Sequence, residues 1–154
     1  MSDAPVPLPV PPVAASSAAL YTSVHPVRFA DCDPAGIVFF PAYLRMLNAV
    51  VEDWLAALGH PWTWLIGEQR MGTPTAQLDS RFHRPSFMGE SLVFELRLAS
   101  LGHSSLVLEH AARVAGELRF SARQVLVATS LDTHRPIAWP DDMRAAMHRF
   151  KENA

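Results

Sequence analysis

The chain has 154 residues, of which 49% are apolar, and a formal net charge of −2 with a pI near 6.4. This composition predicts one domain with a sizeable core, and the weak negative charge excludes the basic field that a nucleic-acid-binding surface needs. The single cysteine, Cys32, excludes an internal disulfide and a multi-cysteine zinc site, so we expect a reducing, cytoplasmic environment. No stretch of about 18 apolar residues predicts a membrane helix, so a membrane is not an expected partner.

The first 21 residues are predicted to be a disordered tail rich in proline and alanine, which precedes a single domain over residues 22–154. Prolines interrupt every apolar run in this tail, unlike the continuous apolar core of a secretory signal. A short strand is predicted over residues 24–30, where Pro26 favours an edge position because proline cannot donate a hydrogen bond to a neighbouring strand.

A long helix is predicted after the acidic turn at residues 31–36. From Tyr43 onward, apolar residues recur at steps of three and four, and few positions on the other faces are polar. We therefore expect a helix that is buried almost all round and ends at Gly59, followed by a short second helix that Pro61 opens.

The second half of the chain has the pattern of an antiparallel sheet. Long runs of strand-forming residues, separated by short turns that contain glycine, occupy residues 73–87, 91–101, 104–114 and 118–131. Their alternation of apolar and polar residues predicts that one sheet face meets the core, and a last short helix begins at Pro140. One apolar helix against such a sheet defines an α+β fold. Because the sheet covers only one side of the helix, we expect a second subunit to cover the rest, in a symmetric dimer.

Two carboxylates, Asp31 and Asp33, stand in a turn directly before the long helix. The unpaired N–H groups at a helix start can polarise a carbonyl group, so this turn can place a carboxylate beside an oxyanion site. We interpret Asp31 as a structural residue that orients the turn. Cys32 has no histidine nearby in the sequence and is interpreted as a small buried residue rather than a nucleophile.

The segment from Phe29 to Val38, followed by Phe40, Pro41 and Tyr43, resembles the signature of the 4-hydroxybenzoyl-CoA thioesterase family of hotdog-fold proteins. Similar elements fall in the family's places further along, namely Gly72-Thr73-Pro74, Arg84-Pro85 before Gly89-Glu90, Leu101 to Ser105, and Arg135-Pro136 with Pro140. The resemblance covers residues 22–150. It implies a hotdog fold, with a long antiparallel sheet wrapped around a central helix, and a dimer or dimer of dimers with active sites between subunits. The implied activity is hydrolysis of an acyl-CoA thioester, with no cofactor besides the coenzyme A of the substrate.

The resemblance also assigns roles to residues of the motif. Asp33 takes the position of the family's catalytic carboxylate, either as the nucleophile or as the base that activates water. The backbone N–H of Phe40 takes the position of the oxyanion contact, and Gly36 and Pro41 are expected to bind substrate. Phe40 stands where the prototype of the family has tyrosine, and Asn48 where it has aspartate. The resemblance therefore predicts the thioester chemistry and leaves the acyl group open.

Three further residues are candidates for the acyl pocket. Asn48 and Glu52 lie one helical turn apart and therefore on one face of the long helix. Other hotdog thioesterases use a helix carboxylate, so Glu52 is the second candidate for the catalytic acid; the alternative is a buried carboxylate that bridges subunits. Thr73 is expected in the pocket wall or, alternatively, as a hydroxyl at a strand edge.

Coenzyme A is expected to bind at a surface, because the sequence has no glycine-rich phosphate loop. The candidates are His103, Ser104 and Ser105, which form one turn, with Arg84 as a cation. The alternative is that this turn is a solvated hairpin tip. No His-x₃-His or Glu-x₂-His pair and no Gly-x-Ser-x-Gly elbow occurs, so neither a metal nor a serine triad is expected.

The function expected from these features is hydrolysis of an aromatic or short- to medium-chain acyl-CoA by a homodimer or homotetramer. Two alternatives stay open at the level of the sequence. In the first, the acyl carrier is a protein-bound phosphopantetheine rather than coenzyme A. In the second, the chain is a non-catalytic protein that binds acyl thioesters.

Overall fold

A computed structural model describes residues 19–153, so most of the predicted tail lies outside the described residues. The helices and strands are β1 Tyr21–Pro26, α1 Phe40–Ala57, α2 Trp62–Gly67, β2 Met71–Gly72, β3 Thr75–Phe82, β4 Ser91–Leu101, β5 Ser105–Val114, β6 Glu117–Val127, β7 Thr129–Ser130 and α3 Asp141–Glu152. The helix predicted to begin at Pro140 is therefore confirmed, with Pro140 as its N-cap.

Five strands form one antiparallel sheet in the order β1-β4-β5-β6-β3, and β2 pairs with β7 in a separate ladder. The alternation in β4 has the predicted effect, because Leu92, Phe94 and Leu96 are fully buried while the residues between them are only partly buried. The predicted α+β fold is confirmed. β1 and β3 are the edge strands, and the side chains of β3 are exposed on both faces apart from the partly buried Leu78.

Helix α1 lies across the core face of the sheet. The ring of Tyr43 stacks on Phe120 of β6, with ring centroids 5.1 Å apart. Trp54 is completely buried and makes an edge contact of 5.5 Å with Phe150 of α3. The predicted end of the helix is confirmed, because Gly59 follows it with a φ of +88°, a conformation that glycine adopts without strain.

In the single chain α1 is buried on one face only, and the predicted cover by a second subunit stays a prediction. The helix begins at Phe40, where Pro41 fits the first turn of a helix. The sheet covers only one of its faces, and the opposite face carries the exposed residues Arg45, Asn48, Glu52, Asp53 and Ala56.

The strand predicted over residues 24–30 is displaced toward the N-terminus. β1 ends at Pro26, and Phe29–Asp31 form a 3-10 turn instead. The turn is favoured because the Asp31 carboxylate accepts the backbone N–H of Arg28 at 2.9 Å. A local side-chain bond of this kind competes with continuation of a strand.

Two of the other predicted strands are too long. The strand predicted over 73–87 is only β3, because the N–H groups of His83 and Arg84 both turn to the carbonyl of Arg119 and Pro85 has no N–H. The strand predicted over 118–131 is divided into β6 and β7. β7 pairs with β2 rather than with the main sheet.

Among residues 19–153, none of the helices combines the length and the apolar character needed to cross a membrane.

Candidate active site

The acidic turn before α1 is a tight reversal that Asp33 organises. The N–H of Gly36 donates to the Asp33 carbonyl and the N–H of Asp33 donates to Ile37, both at 2.9 Å. The Asp33 side chain accepts the N–H of Ala35 through Oδ1 at 2.8 Å. The residues suit these bonds, because proline and aspartate favour the first positions of such a turn and Gly36 has a φ of +79°. The second carboxylate oxygen of Asp33 has no partner within residues 19–153, so it is available for chemistry.

The turn brings Asp33 next to the start of α1. Cys32 and Val38 form an isolated antiparallel bridge, and the N–H of Phe39 donates to the carbonyl of Asp31 at 2.8 Å. Phe40 is the first residue of the helix, and its N–H has no acceptor within the described part of the chain. Pro41, the next residue, has no N–H. Phe40 therefore presents an unpaired donor at the electropositive end of the helix.

Asp31 joins the turn to the body of α1. It is 7% exposed, and its Oδ1 forms an ion pair with Arg45 while its Oδ2 accepts the N–H of Arg28. Both carboxylate oxygens are thus engaged. These contacts agree with the interpretation of Asp31 as a structural residue.

A loop between β3 and β4 supports the turn from behind. The carbonyl of Ser86 accepts the N–H of Val38 at 2.8 Å, and Phe87 forms a bridge with Ile37. The loop is closed by Glu90, whose Oε2 accepts the N–H of Phe87 at 2.9 Å.

The carboxylate that closes this loop is stabilised in its charged form. The hydrogen bond from the Phe87 N–H, together with the guanidinium of Arg119, holds the pKa of Glu90 below its usual range. Arg119 donates to Glu90 at 2.8 Å and to the carbonyl of Pro85. The ion pair between Glu90 and Arg119 therefore holds this loop together.

Large apolar side chains surround the helix start. Five of them are exposed in the single chain: Phe29 at 83%, Phe39 at 50%, Phe40 at 59%, Phe87 at 47% and Met88 at 58%. An exposed apolar patch beside a polar site is typical of a binding or subunit interface. We call these five residues the apolar rim.

A cavity of about 220 Å³ lies further along α1. Its walls are formed by Asn48, Trp62, Ile66, Met71, Gly72, Thr73, Pro74 and Thr75. Asn48 and Thr73, which the sequence suggested separately, therefore meet in one cavity. Asn48 lies eight residues beyond Phe40, which is about 12 Å along the helix. Asp33 is not among the lining residues, so one chain does not bring the two together.

Glu52 lies one turn beyond Asn48, as predicted, but it is exposed on the uncovered face of α1 and does not line the cavity. Gly36 and Pro41 both lie beside the Asp33 turn, Gly36 within it and Pro41 in the first turn of α1. The predicted substrate-binding residues therefore fall into two groups in one chain, one at the helix start and one near the cavity.

The residues predicted to bind coenzyme A do not come together in one chain. Arg84 lies near the turn between β5 and β6, where it faces Glu117 at 3.7 Å. His103, Ser104 and Ser105 lie at the other end of β5, whose 10 residues span about 30 Å at about 3.3 Å per residue. Arg84 and this hairpin therefore lie at opposite ends of the sheet in one chain.

One polar group in the core escaped prediction. His110 of β5 is 3% exposed, and its Nε2 lies 3.0 Å from the Oε1 of Gln124. The amide of Gln124 donates to the hydroxyl of Thr75 at 2.9 Å. The sequence does contain a signal for this group. His110 lies between Leu108 and Ala112, in a series of alternate residues of β5 that are otherwise apolar and face the core.

Within residues 19–153, no three His, Cys, Asp or Glu side chains are grouped so that they could hold a metal ion.

The long antiparallel sheet behind one central helix, with a carboxylate turn at the helix start, defines a hotdog-fold protein. A solved gentisyl-coenzyme A thioesterase is similar, with a TM-score of 0.76 and 25% identity over 82% of this chain and 99% of that one. The chain belongs to the thioesterase-like superfamily, whose family model matches residues 27–147. The predicted family resemblance and the hotdog fold are thereby confirmed.

Two curated relatives extend this result. The 4-hydroxybenzoyl-CoA thioesterase of Pseudomonas sp. (strain CBS-3) is 33% identical over 86 residues, which are 54% of this chain and 61% of that enzyme. Its solved structure superposes with a TM-score of 0.77 at 26% identity, covering 83% of this chain and 99% of that one. The 1,4-dihydroxy-2-naphthoyl-CoA hydrolase of Thermosynechococcus vestitus is 27% identical over 83% of this chain and 88% of its own length. The class of enzyme is thus thioester hydrolase.

Proposed function

We propose that this chain is an acyl-CoA thioesterase that releases a free carboxylic acid and coenzyme A, with Asp33 as the reacting carboxylate. One observation supports this most strongly. The turn that holds Asp33 ends at α1, where the N–H of Phe40 is unpaired within the described residues. A carboxylate and an oxyanion donor are the two groups that attack on a thioester carbonyl needs.

The proposed reaction begins with the thioester carbonyl oxygen accepting the N–H of Phe40. In one route, the free oxygen of Asp33 attacks the carbonyl carbon and the C–S bond breaks, which leaves an acyl anhydride and the thiolate of coenzyme A. Water then hydrolyses the anhydride and restores Asp33. In the other route, Asp33 takes a proton from a water that attacks the same carbon, the C–S bond breaks, and the proton passes from Asp33 to the leaving thiolate of coenzyme A. Both routes need no cofactor besides the coenzyme A of the substrate.

The acyl group is proposed to be aromatic. The three relatives reported above are named for aromatic acyl groups, and this supports the same class of substrate here. We propose that the cavity lined by Asn48 and Thr73 receives this group, with Gly36 and Pro41 at the thioester and Glu52 at the rim of the pocket. A short- to medium-chain aliphatic group is the alternative for the same apolar walls.

The proposed enzyme is a homodimer that pairs further into a homotetramer. Three features of the chain support a second copy: the open edge of β3, the uncovered face of α1 and the apolar rim. A second copy would also account for the distance between Asp33 and the cavity in one chain. In the dimer, Asp33 of one protomer could lie next to the cavity of the other. It would likewise let Arg84 of one protomer and the His103-Ser104-Ser105 turn of another bind one coenzyme A. We propose a cytoplasmic location for this assembly.

The experiment that tests this function is a panel of thioesters with a dye that traps free thiol. The panel contains benzoyl, hydroxybenzoyl, hexanoyl and octanoyl groups, each on coenzyme A and on acyl carrier protein. We expect thiol release to be fastest from the aromatic coenzyme A thioesters. Faster release from the carrier protein would identify the other carrier, and tight binding without thiol release would show a non-catalytic binder.

A further inference from the structure

A row of hydrogen-bonded side chains runs from the buried His110 and Gln124 to the exposed Thr75 at the cavity. Its two hydrogen bonds, of 3.0 and 2.9 Å, run from the imidazole through the amide to the Thr75 hydroxyl, and Thr75 lines the cavity. His110 is 3% exposed and Gln124 is 3% exposed. Two polar side chains are thus buried behind one hydroxyl at the cavity wall.

Burial makes this arrangement costly in folding free energy. The Nδ1 of His110 is buried without a hydrogen-bond partner, and an unsatisfied buried polar atom is destabilising. A leucine at this position of β5 would avoid that cost.

The direction of the two bonds follows from the chemistry of the groups. Burial lowers the pKa of His110 to about 4, so its imidazole is neutral and has one N–H. The Oε1 of Gln124 can only accept, and so the N–H of His110 is on Nε2. The amide then donates its own N–H to the Oγ of Thr75.

The hydroxyl of Thr75 accepts this bond and keeps its proton for another partner. Within residues 19–153 that proton has no acceptor. The nearby walls of the cavity include the apolar side chains of Trp62, Ile66 and Met71. An oxygen that enters between them would meet a donor already held in place.

We propose that Thr75 is a specificity-determining residue of the acyl pocket, whose hydroxyl donates to an oxygen substituent of the acyl group, and that His110 and Gln124 are its positioning residues. This inference rests on the proposed function, and it adds a polar recognition element to a cavity whose walls are largely apolar. The acyl group that fits is an aromatic ring that carries an oxygen substituent.

The test compares kcat/KM for benzoyl-CoA with that for 2-, 3- and 4-hydroxybenzoyl-CoA. The parent protein should prefer one hydroxylated isomer over benzoyl-CoA, mainly through KM. Thr75→Val should lower that preference about 3- to 10-fold, the contribution of one hydrogen bond, and Thr75→Ser should keep it. Thr22→Val, at an exposed position of β1, is the matched control and should change neither preference nor activity.

A second variant tests the positioning role. Gln124→Met should lower the same preference. Combining it with Thr75→Val should lower the preference no further, because both changes act on the same contact, that of the Thr75 hydroxyl with the substrate. An unchanged preference in Thr75→Val, or a parent that does not distinguish benzoyl-CoA from any hydroxylated isomer, would overturn the inference.

If the proposed function is wrong, no thioester releases thiol, and this result differs from those that would overturn the role of Thr75. The inference is then decided by NMR titrations with free benzoate and the three hydroxybenzoates. Thr75→Val should again reduce the difference in Kd between the preferred hydroxybenzoate and benzoate about 3- to 10-fold. Equal differences in the two proteins would contradict it.

Discussion

The hydroxyl of Tyr43 on α1 donates a hydrogen bond of 2.8 Å to the side chain of Ser86, and both residues are buried. The carbonyl of the same serine accepts the N–H of Val38, also at 2.8 Å. Ser86 thus ties the first turns of the helix to the segment that follows Asp33. Ser86 therefore contributes, together with the backbone bonds of the turn, to holding Asp33 beside the helix start.

Removing either hydroxyl of this pair should loosen the connection. Tyr43→Phe and Ser86→Ala should each lower the free energy of unfolding by about 1 kcal/mol, the usual contribution of a buried hydrogen bond. The double variant should lose less than the sum, because both changes break the same bond. Urea unfolding of the four proteins measures the coupling, and additive losses would show that the bond contributes nothing.

The conformation of Gly36 gives a second prediction, which separates backbone strain from crowding. An added Cβ at Gly36 meets no atom within 4 Å, but the φ of +79° is unfavourable for alanine. Gly36→Ala should therefore destabilise the fold by about 1–2 kcal/mol and displace Asp33.

The control for this prediction is Gly67→Ala, at the end of α2, where a Cβ also meets nothing within 4 Å and no positive φ occurs. It should leave stability unchanged or raise it, because alanine favours helix more than glycine does. Equal thermal unfolding of the two variants would contradict the role of strain.

Hydrophobic alternation and turn residues were sufficient to predict the sheet. β4 lies over the predicted residues, Ser91–Leu101, because its turns are local and its alternate residues Leu92, Phe94, Leu96 and Leu98 face one core. The bounds of β3 were not predictable in the same way. That strand ends where His83 and Arg84 bond to Arg119, which is 35 or more residues away in the sequence.

The candidate site was predictable only where it is continuous in sequence. Asp33 and Phe40 belong to one turn and one helix start, so their proximity follows from local geometry. The meeting of Asn48 with Thr73 depends on how α1, α2 and β2 pack. The residue pattern of α1 predicted that one chain would leave part of the helix uncovered, but a residue pattern alone does not show which surface covers it.

The uncovered surfaces lead to a third prediction. Sedimentation velocity of the full chain should give two or four times its mass of 17.0 kDa, because the apolar rim and the open edge of β3 are exposed in one chain. Phe29→Glu, at the most exposed position of the rim, should shift the distribution toward monomer. A parent protein that stays monomeric at micromolar concentration would contradict the proposed assembly.

Burial of His110 predicts how stability depends on pH. Its pKa falls from 6.5 to about 4 in the folded chain, so between these values the unfolded chain binds a proton that the folded chain does not. The free energy of unfolding should therefore decrease as the pH falls from about 6.5 to about 4, by about 3 kcal/mol from this residue.

The matched variant for this measurement is His110→Gln, which has no ionisable group at that position. The difference in unfolding free energy between the two proteins should change across this pH range and be constant above it. Because the carboxylates titrate alike in both proteins, they cancel in the difference. A flat difference from pH 4 to 7 would show that His110 does not titrate with a lowered pKa.

The most direct test of the proposed chemistry is hydrolysis by Asp33→Asn, measured on the best thioester of the panel. Asparagine keeps the side-chain oxygen that accepts the N–H of Ala35, so the turn and the binding of coenzyme A should persist. Asp141→Asn, an exposed acid at the start of α3, serves as the control and should hydrolyse at the parent rate. We predict that Asp33→Asn lowers kcat by at least about 100-fold, as expected for loss of an acid-base group or nucleophile. Turnover close to that of the parent protein would contradict the central role of Asp33.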